Sequence, residues 1–160
     1  MKKLLCIYYL LCIATLAYAQ DLRFNANGKF KIVQFTDVHY IFNDSRAEVA
    51  IERINEVLNA ENPNLVMFTG DIIYGKPAEE GMRTVLEQVS KRKIPFAVTF
   101  GNHDDEQGLS REELLKIIQR IPYSLTSTTK GISGTTNFIL PIKSSDGQKD
   151  AEILYVFDSH

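Results

Sequence analysis

Three short apolar runs, each leading straight into a polar cluster, are what most constrains this chain. Residues 30–36 run into Asp37-Val38-His39, residues 65–69 into Gly70-Asp71, and residues 95–100 into Gly101-Asn102-His103-Asp104. Asp37 to Asp71 and Asp71 to Asn102 are each just over thirty residues apart, close to one βαβ unit of about 30 residues. Amphipathic stretches fill the gaps. Ala50, Ile51, Ile54, Val57 and Leu58 recur at helical spacing, as do Met82, Val85, Leu86 and Val89, and a third stripe follows at Leu114, Ile117, Ile118 and Ile121. Strands alternating with helices predict an α/β fold with a largely parallel sheet and helices packed against it. Ligands of such sheets sit beyond the carboxyl ends of the strands, where the three clusters fall.

The punctuation is consistent with this order. Asn27-Gly28 between residues 22–25 and 30–36 predicts an N-terminal β-hairpin. Ser45 with Glu48, and Ser110 with Glu113, read as capping boxes opening the first and third helices. Asn62-Pro63 ends the first helix and Pro77 opens the second, with Lys91, Arg92 and Lys93 at its C-terminal end. Residues 136–142 and 153–157 read as two strands around an Asp146-Gly147 turn.

The clusters offer carboxylate, imidazole and amide oxygen but no thiolate, a set suited to borderline ions such as Mn, Fe or Zn. Asp37 and His39 are separated by one residue, so an extended backbone turns both to one side. Glycine before Asp71 and before Asn102 allows a tight turn at each strand end. Two of the three histidines, His39 and His103, lie in these clusters.

The first nineteen residues stand apart. Lys2 and Lys3 precede an almost wholly apolar stretch over residues 4–16, and Ala17-Tyr18-Ala19 places small residues at both key positions of a cleavage site before Gln20. That pattern predicts a secretory signal peptide over residues 1–19, an exported (periplasmic or secreted) mature protein, and one domain over residues 20–160. The apolar run is shorter than the roughly 20 residues of a membrane span, so no stable span is expected after cleavage. Cys6 and Cys12, the only cysteines, both lie in the leader, so the mature chain is expected to fold without disulfides. Lys2 and Lys3 are the leader's only charges, leaving the remainder more acidic than the formal −2 of the whole sequence. No basic stripe of the kind a dedicated nucleic-acid binder carries is visible.

With these residues in view, DVH, GD and GNHD resemble the first three signature motifs of the calcineurin-like metallophosphoesterases, and FKIVQFTDVHY is similar to their purple-acid-phosphatase-like, Dcr2-type branch. The resemblance covers nearly all of the chain after the leader. It implies the amino-terminal part of a four-layer β-sandwich flanked by helices. It also implies a phosphoric ester hydrolase with two metal ions, acting on a phosphorylated small molecule or protein through a hydroxide held at the dinuclear centre. Carried over motif by motif, Asp37 and His39 hold the first metal, Asp71 bridges both, Asn102 holds the second, and His103 assists the phosphate or the leaving oxygen. Asp104 either orients His103 or caps the following turn.

Two departures qualify the resemblance. GDIIY matches the motif whose tyrosine binds iron in true purple acid phosphatases, which lack a histidine at the place of His39. Having both, this chain is expected to use His39 as ligand and Tyr74 as a wall of the site. The family also supplies later histidines, including a Gly-His-x-His pair, whereas only His160 follows His103. His160 is expected to be structural or incidental, the domain to be truncated at its C-terminus, and these 160 residues alone to be nearly inactive. The alternative function is an inactive remnant that binds metal or phosphate without turnover.

Overall fold

The computed structural model describes residues 21–159; the proposed leader and His160 lie outside the described residues. In chain order the elements are β1 (Ile32–Phe35), α1 (Glu48–Glu61), β2 (Leu65–Thr69), α2 (Ala78–Ser90), β3 (Phe96–Thr99), α3 (Arg111–Gln119), β4 (Phe138–Lys143) and β5 (Asp150–Val156). A single 3-10 turn, Asp104–Gln107, stands between β3 and α3. The first three strands form a parallel sheet in the order β1-β2-β3, and β4 and β5 pair antiparallel. This is the mixed α/β architecture expected, as a partial domain.

Side-chain alternation along the central strand explains the layering. Val66 and Phe68 of β2, with Phe96 and Val98 of β3, face the buried stripes of the three helices. Leu65 and Ala97 point the other way, into a second core with Leu22, Phe138, Leu140, Ile142 and Val156. A strand buried on both faces reads as continuous apolar sequence, which is why LVMF shows no polar alternation. The described residues thus form a helix layer, a parallel sheet and a two-stranded sheet. None of their helices is long and apolar enough to cross a membrane.

Two local expectations are corrected. No hairpin forms at the N-terminus: Asn25 and Gly28 close a tight loop, but residues 22–24 align with β4, Phe24 N–H donating to Lys143 O at 3.0 Å and Lys143 N–H to Leu22 O at 2.8 Å. Burial of Leu22 in the second core outweighs the local turn signal. The Ser45–Glu48 capping box is absent too, since α1 starts after Ala47 without a side-chain cap. Glu48 instead accepts the Tyr40 hydroxyl at 2.9 Å, tying the helix to the first cluster. The Ser110–Glu113 box forms in both directions, and Asn62 ends α1 in a left-handed conformation.

Phe68 is fully buried between β1 and the helices. Phe68→Ala should destabilise the intact protein by about 3–5 kcal/mol, read as a lower urea midpoint with an unchanged m-value.

Candidate metal centre

The parallel ladder does not stop where the strands end. Asp37 N–H donates to Gly70 O at 3.1 Å, His39 N–H to Asp71 O at 2.9 Å, and Tyr40 N–H to Ile72 O at 3.0 Å. The first two clusters are therefore laid side by side by backbone bonds alone. Glycines bring in the third: a Cβ on Gly70 would lie 2.8 Å from the Gly101 Cα, and one on Gly101 would lie 2.2 Å from Asp71 Oδ1. Neither position has room for a side chain, so the second and third strand ends meet backbone to backbone.

The meeting is fastened by Asp104, which is fully buried. Its Oδ2 accepts the N–H of Asp71 at 3.0 Å and of Gly101 at 2.9 Å. Its Oδ1 accepts those of Ile72 at 2.8 Å and Ile73 at 3.2 Å. Burial pushes this carboxyl above the usual carboxylate range, against four N–H donors that favour its charged form. Asp104 neither bonds the His103 ring nor acts as a helix cap. It joins the Gly-Asp loop to the GNHD loop.

The three loops bring Asp37, His39 and Asp71 together, with one ligand atom from each within 4.8 Å of the others. His39 Nε2 lies 3.7 Å from Asp37 Oδ1 and 3.7 Å from Asp71 Oδ2. That is too long for hydrogen bonds. It suits donors sharing one ion, because atoms each about 2.0–2.2 Å from a common centre stand some 3–4 Å apart. Two carboxylates and an imidazole so placed fit a divalent cation. All three residues take positive φ, at 53°, 49° and 52°, a conformation that costs a non-glycine residue roughly 1–2 kcal/mol and that clusters at functional sites.

The remaining candidates surround this group. Asp71 Oδ1 accepts the His103 backbone N–H at 2.9 Å. The His103 ring lies 5.7 Å from that of His39, and the Tyr74 ring stands 5.1 Å from His103 and 5.3 Å from His39. Tyr74 thus walls both imidazoles. Asn102, on the loop between Gly101 and His103, is exposed, and its amide bonds to no described residue. Sequence reasoning missed two participants. Glu106 accepts from His103 Nδ1 at 2.7 Å and raises the pKa of the imidazole. Arg111, buried, bonds Gly101 O at 2.8 Å and Asp158 at 2.7 Å. The spacing of His103 and Glu106 within a polar turn was a usable signal; nothing local marks Arg111.

The profile of the calcineurin-like phosphoesterases matches residues 30–155. The chain belongs to this family. Among its relatives, the phosphatase Dcr2 of Saccharomyces cerevisiae is 38% identical over 89% of this chain and 28% of its own length. An uncharacterized Schizosaccharomyces pombe protein is 38% identical over 69% of the chain and 25% of its own. A probable inactive purple acid phosphatase of Arabidopsis thaliana, number 14, is 29% identical over 87% and 42%. The chain thus spans less than half the length of these relatives. Divalent metals are typical of the family, and in this calcineurin-like chain the Asp37–His39–Asp71 group is placed to bind one.

Asp104→Asn replaces one acceptor oxygen with an amide NH2 facing two backbone donors. Each unpaired donor costs about 1–3 kcal/mol, so the variant should melt lower and bind metal more weakly. The half-exposed Asp105→Asn should shift stability by less than about 1 kcal/mol. Urea titration and metal analysis of both variants check this.

Proposed function

We propose that this chain is the metal-binding part of an exported phosphoric ester hydrolase. The observation that carries the reading is the convergence of Asp37, His39 and Asp71 at the carboxyl ends of parallel strands. Asp37 and His39 would hold one ion, Asn102 would offer its amide oxygen to a second, and Asp71 would serve both. When bound, two such ions supply a hydroxide nucleophile at neutral pH and neutralise charge on the phosphoryl oxygens. Manganese, iron or zinc suits the donors. His103 assists the phosphate or the leaving oxygen from beside Asp71, and the Tyr74 ring walls both imidazoles. The substrate class is a phosphorylated small molecule or protein.

The experiment is hydrolysis of an aryl phosphate by the intact protein loaded with Mn, Zn or Fe. Chelation should abolish turnover, and Asp71→Asn should lower kcat by more than about a hundredfold, since ligand loss exceeds the 10–100-fold effect of outer partners. Turnover undiminished in that variant or in chelator overturns the reading. The names of the Arabidopsis relatives favour a second one, a non-catalytic binder of metal or phosphate. Metal uptake without hydrolysis of any ester would select it.

Export is proposed from the Lys2-Lys3 start, the apolar residues 4–16 and Ala17-Tyr18-Ala19. Sequencing the exported protein from its N-terminus should begin at Gln20, and a protein retaining residues 1–19 contradicts the proposal.

A further inference from the structure

The backbone of His103 is held by Asp71, but its ring is held from two other sides, by residues outside the ligand group. The 3-10 turn Asp104–Gln107 starts immediately after it, with Glu106 N–H donating to His103 O at 3.3 Å. In a 3-10 turn with three residues per turn, side chains at i and i+3 eclipse one another. His103 and Glu106 are such a pair, and Glu106 Oε2 sits 2.7 Å from His103 Nδ1. On another side the Tyr74 ring stands edge-on to the imidazole, at 86° and 5.1 Å between centroids. The turn itself is fixed beneath by buried Asp104 and ended by Gly108 at φ 95°.

A carboxylate can only accept, so the contact requires a proton on Nδ1. Nε2 is left as the ring nitrogen that bonds to no described residue. In free neutral imidazole the proton divides between the two nitrogens, and the partner of one decides the state of the other. We infer that Glu106 is the positioning residue of the site: through Nδ1 it fixes the orientation and tautomer of His103 and presents Nε2 to the phosphoryl group. The inference rests on the phosphoesterase reading for what Nε2 meets, and on geometry alone for how the ring is held. Gln can keep a weaker form of the contact through its amide oxygen, whereas Ala removes it.

The test has two arms on the intact protein. In the first, nitrogen-15 NMR of the histidine rings is recorded without metal, at a pH where they are neutral. Wild type should show His103 protonated on Nδ1, Glu106→Ala should move the proton mainly to Nε2, and Glu106→Gln should lie between. A wild-type ring protonated on Nε2, or an alanine variant with an unchanged ring, overturns the inference whether or not the protein is an enzyme. In the second arm, Glu106→Ala should lower kcat about 10–100-fold while KM, metal content and urea midpoint stay within twofold of wild type. Glu106→Gln should recover part of the loss. Equal losses in both variants accompanied by lost metal or stability would make Glu106 a structural residue and overturn the inference. If wild type hydrolyses no ester, the phosphoesterase reading fails, while the NMR arm still decides the role of Glu106.

Discussion

Four backbone N–H groups from two loops end on the carboxylate of Asp104. Buried amides without partners each carry a desolvation cost. Asp104 satisfies Gly101 of its own loop and, across the gap, Asp71, Ile72 and Ile73 of the Gly-Asp loop. The loops it joins carry Asp71 on one side and Asn102 and His103 on the other, so the spacing of the candidate site depends on this residue although it lines none of it. Arg111 extends the fastening by binding Gly101 O and Asp158, just past the end of β5.

Strain at the site follows from the same arrangement. Asp37, His39 and Asp71 all take left-handed backbone conformations, so the local preference of each opposes its position. The ladder bonds from Asp37, His39 and Tyr40 to the second loop hold the first loop in place. The glycine contact between residues 70 and 101 lets the third approach. Behind them lies a core of fully buried residues, among them Phe68, Ile72, Ile73 and Phe96. Burial of such side chains contributes roughly 1.5–3 kcal/mol each, enough to offset a few strained residues.

This division explains what was legible in the sequence. The apolar runs, the helical stripes and the polar clusters are periodic or contiguous signals, and the β1-β2-β3 ladder and its strand-end site follow from them. The sequence predicts an N-terminal hairpin because Asn27-Gly28 does make a turn, but the fate of Leu22 is set by β4, more than a hundred residues away. The Ser45 cap failed for a similar reason: Glu48 is claimed by Tyr40. Asp104 was noticed for its neighbour, yet its partners lie some thirty residues back on another loop. Long-range partners leave no periodic trace, and the expectations that hinge on them are those from which the structure differs.

Asp37, Asp71 and Asp104 also show how one residue type divides its work by what reaches its oxygens. Both oxygens of Asp104 are spent on backbone donors and none of its surface meets solvent. Asp71 is intermediate, with Oδ1 given to the His103 N–H and Oδ2 turned toward His39. Asp37 is the most open, its side chain 64% exposed and one oxygen bonded to the neighbouring Thr36 hydroxyl. A carboxylate binds an ion with the oxygen its hydrogen bonds leave over, and an oxygen already saturated by N–H groups is a poor ligand. Asp104 therefore has no oxygen left for an ion, whereas Asp71 and Asp37 each keep one that faces His39. The motif letters GNHD and GD do not carry that distinction; the hydrogen bonds of the folded chain do.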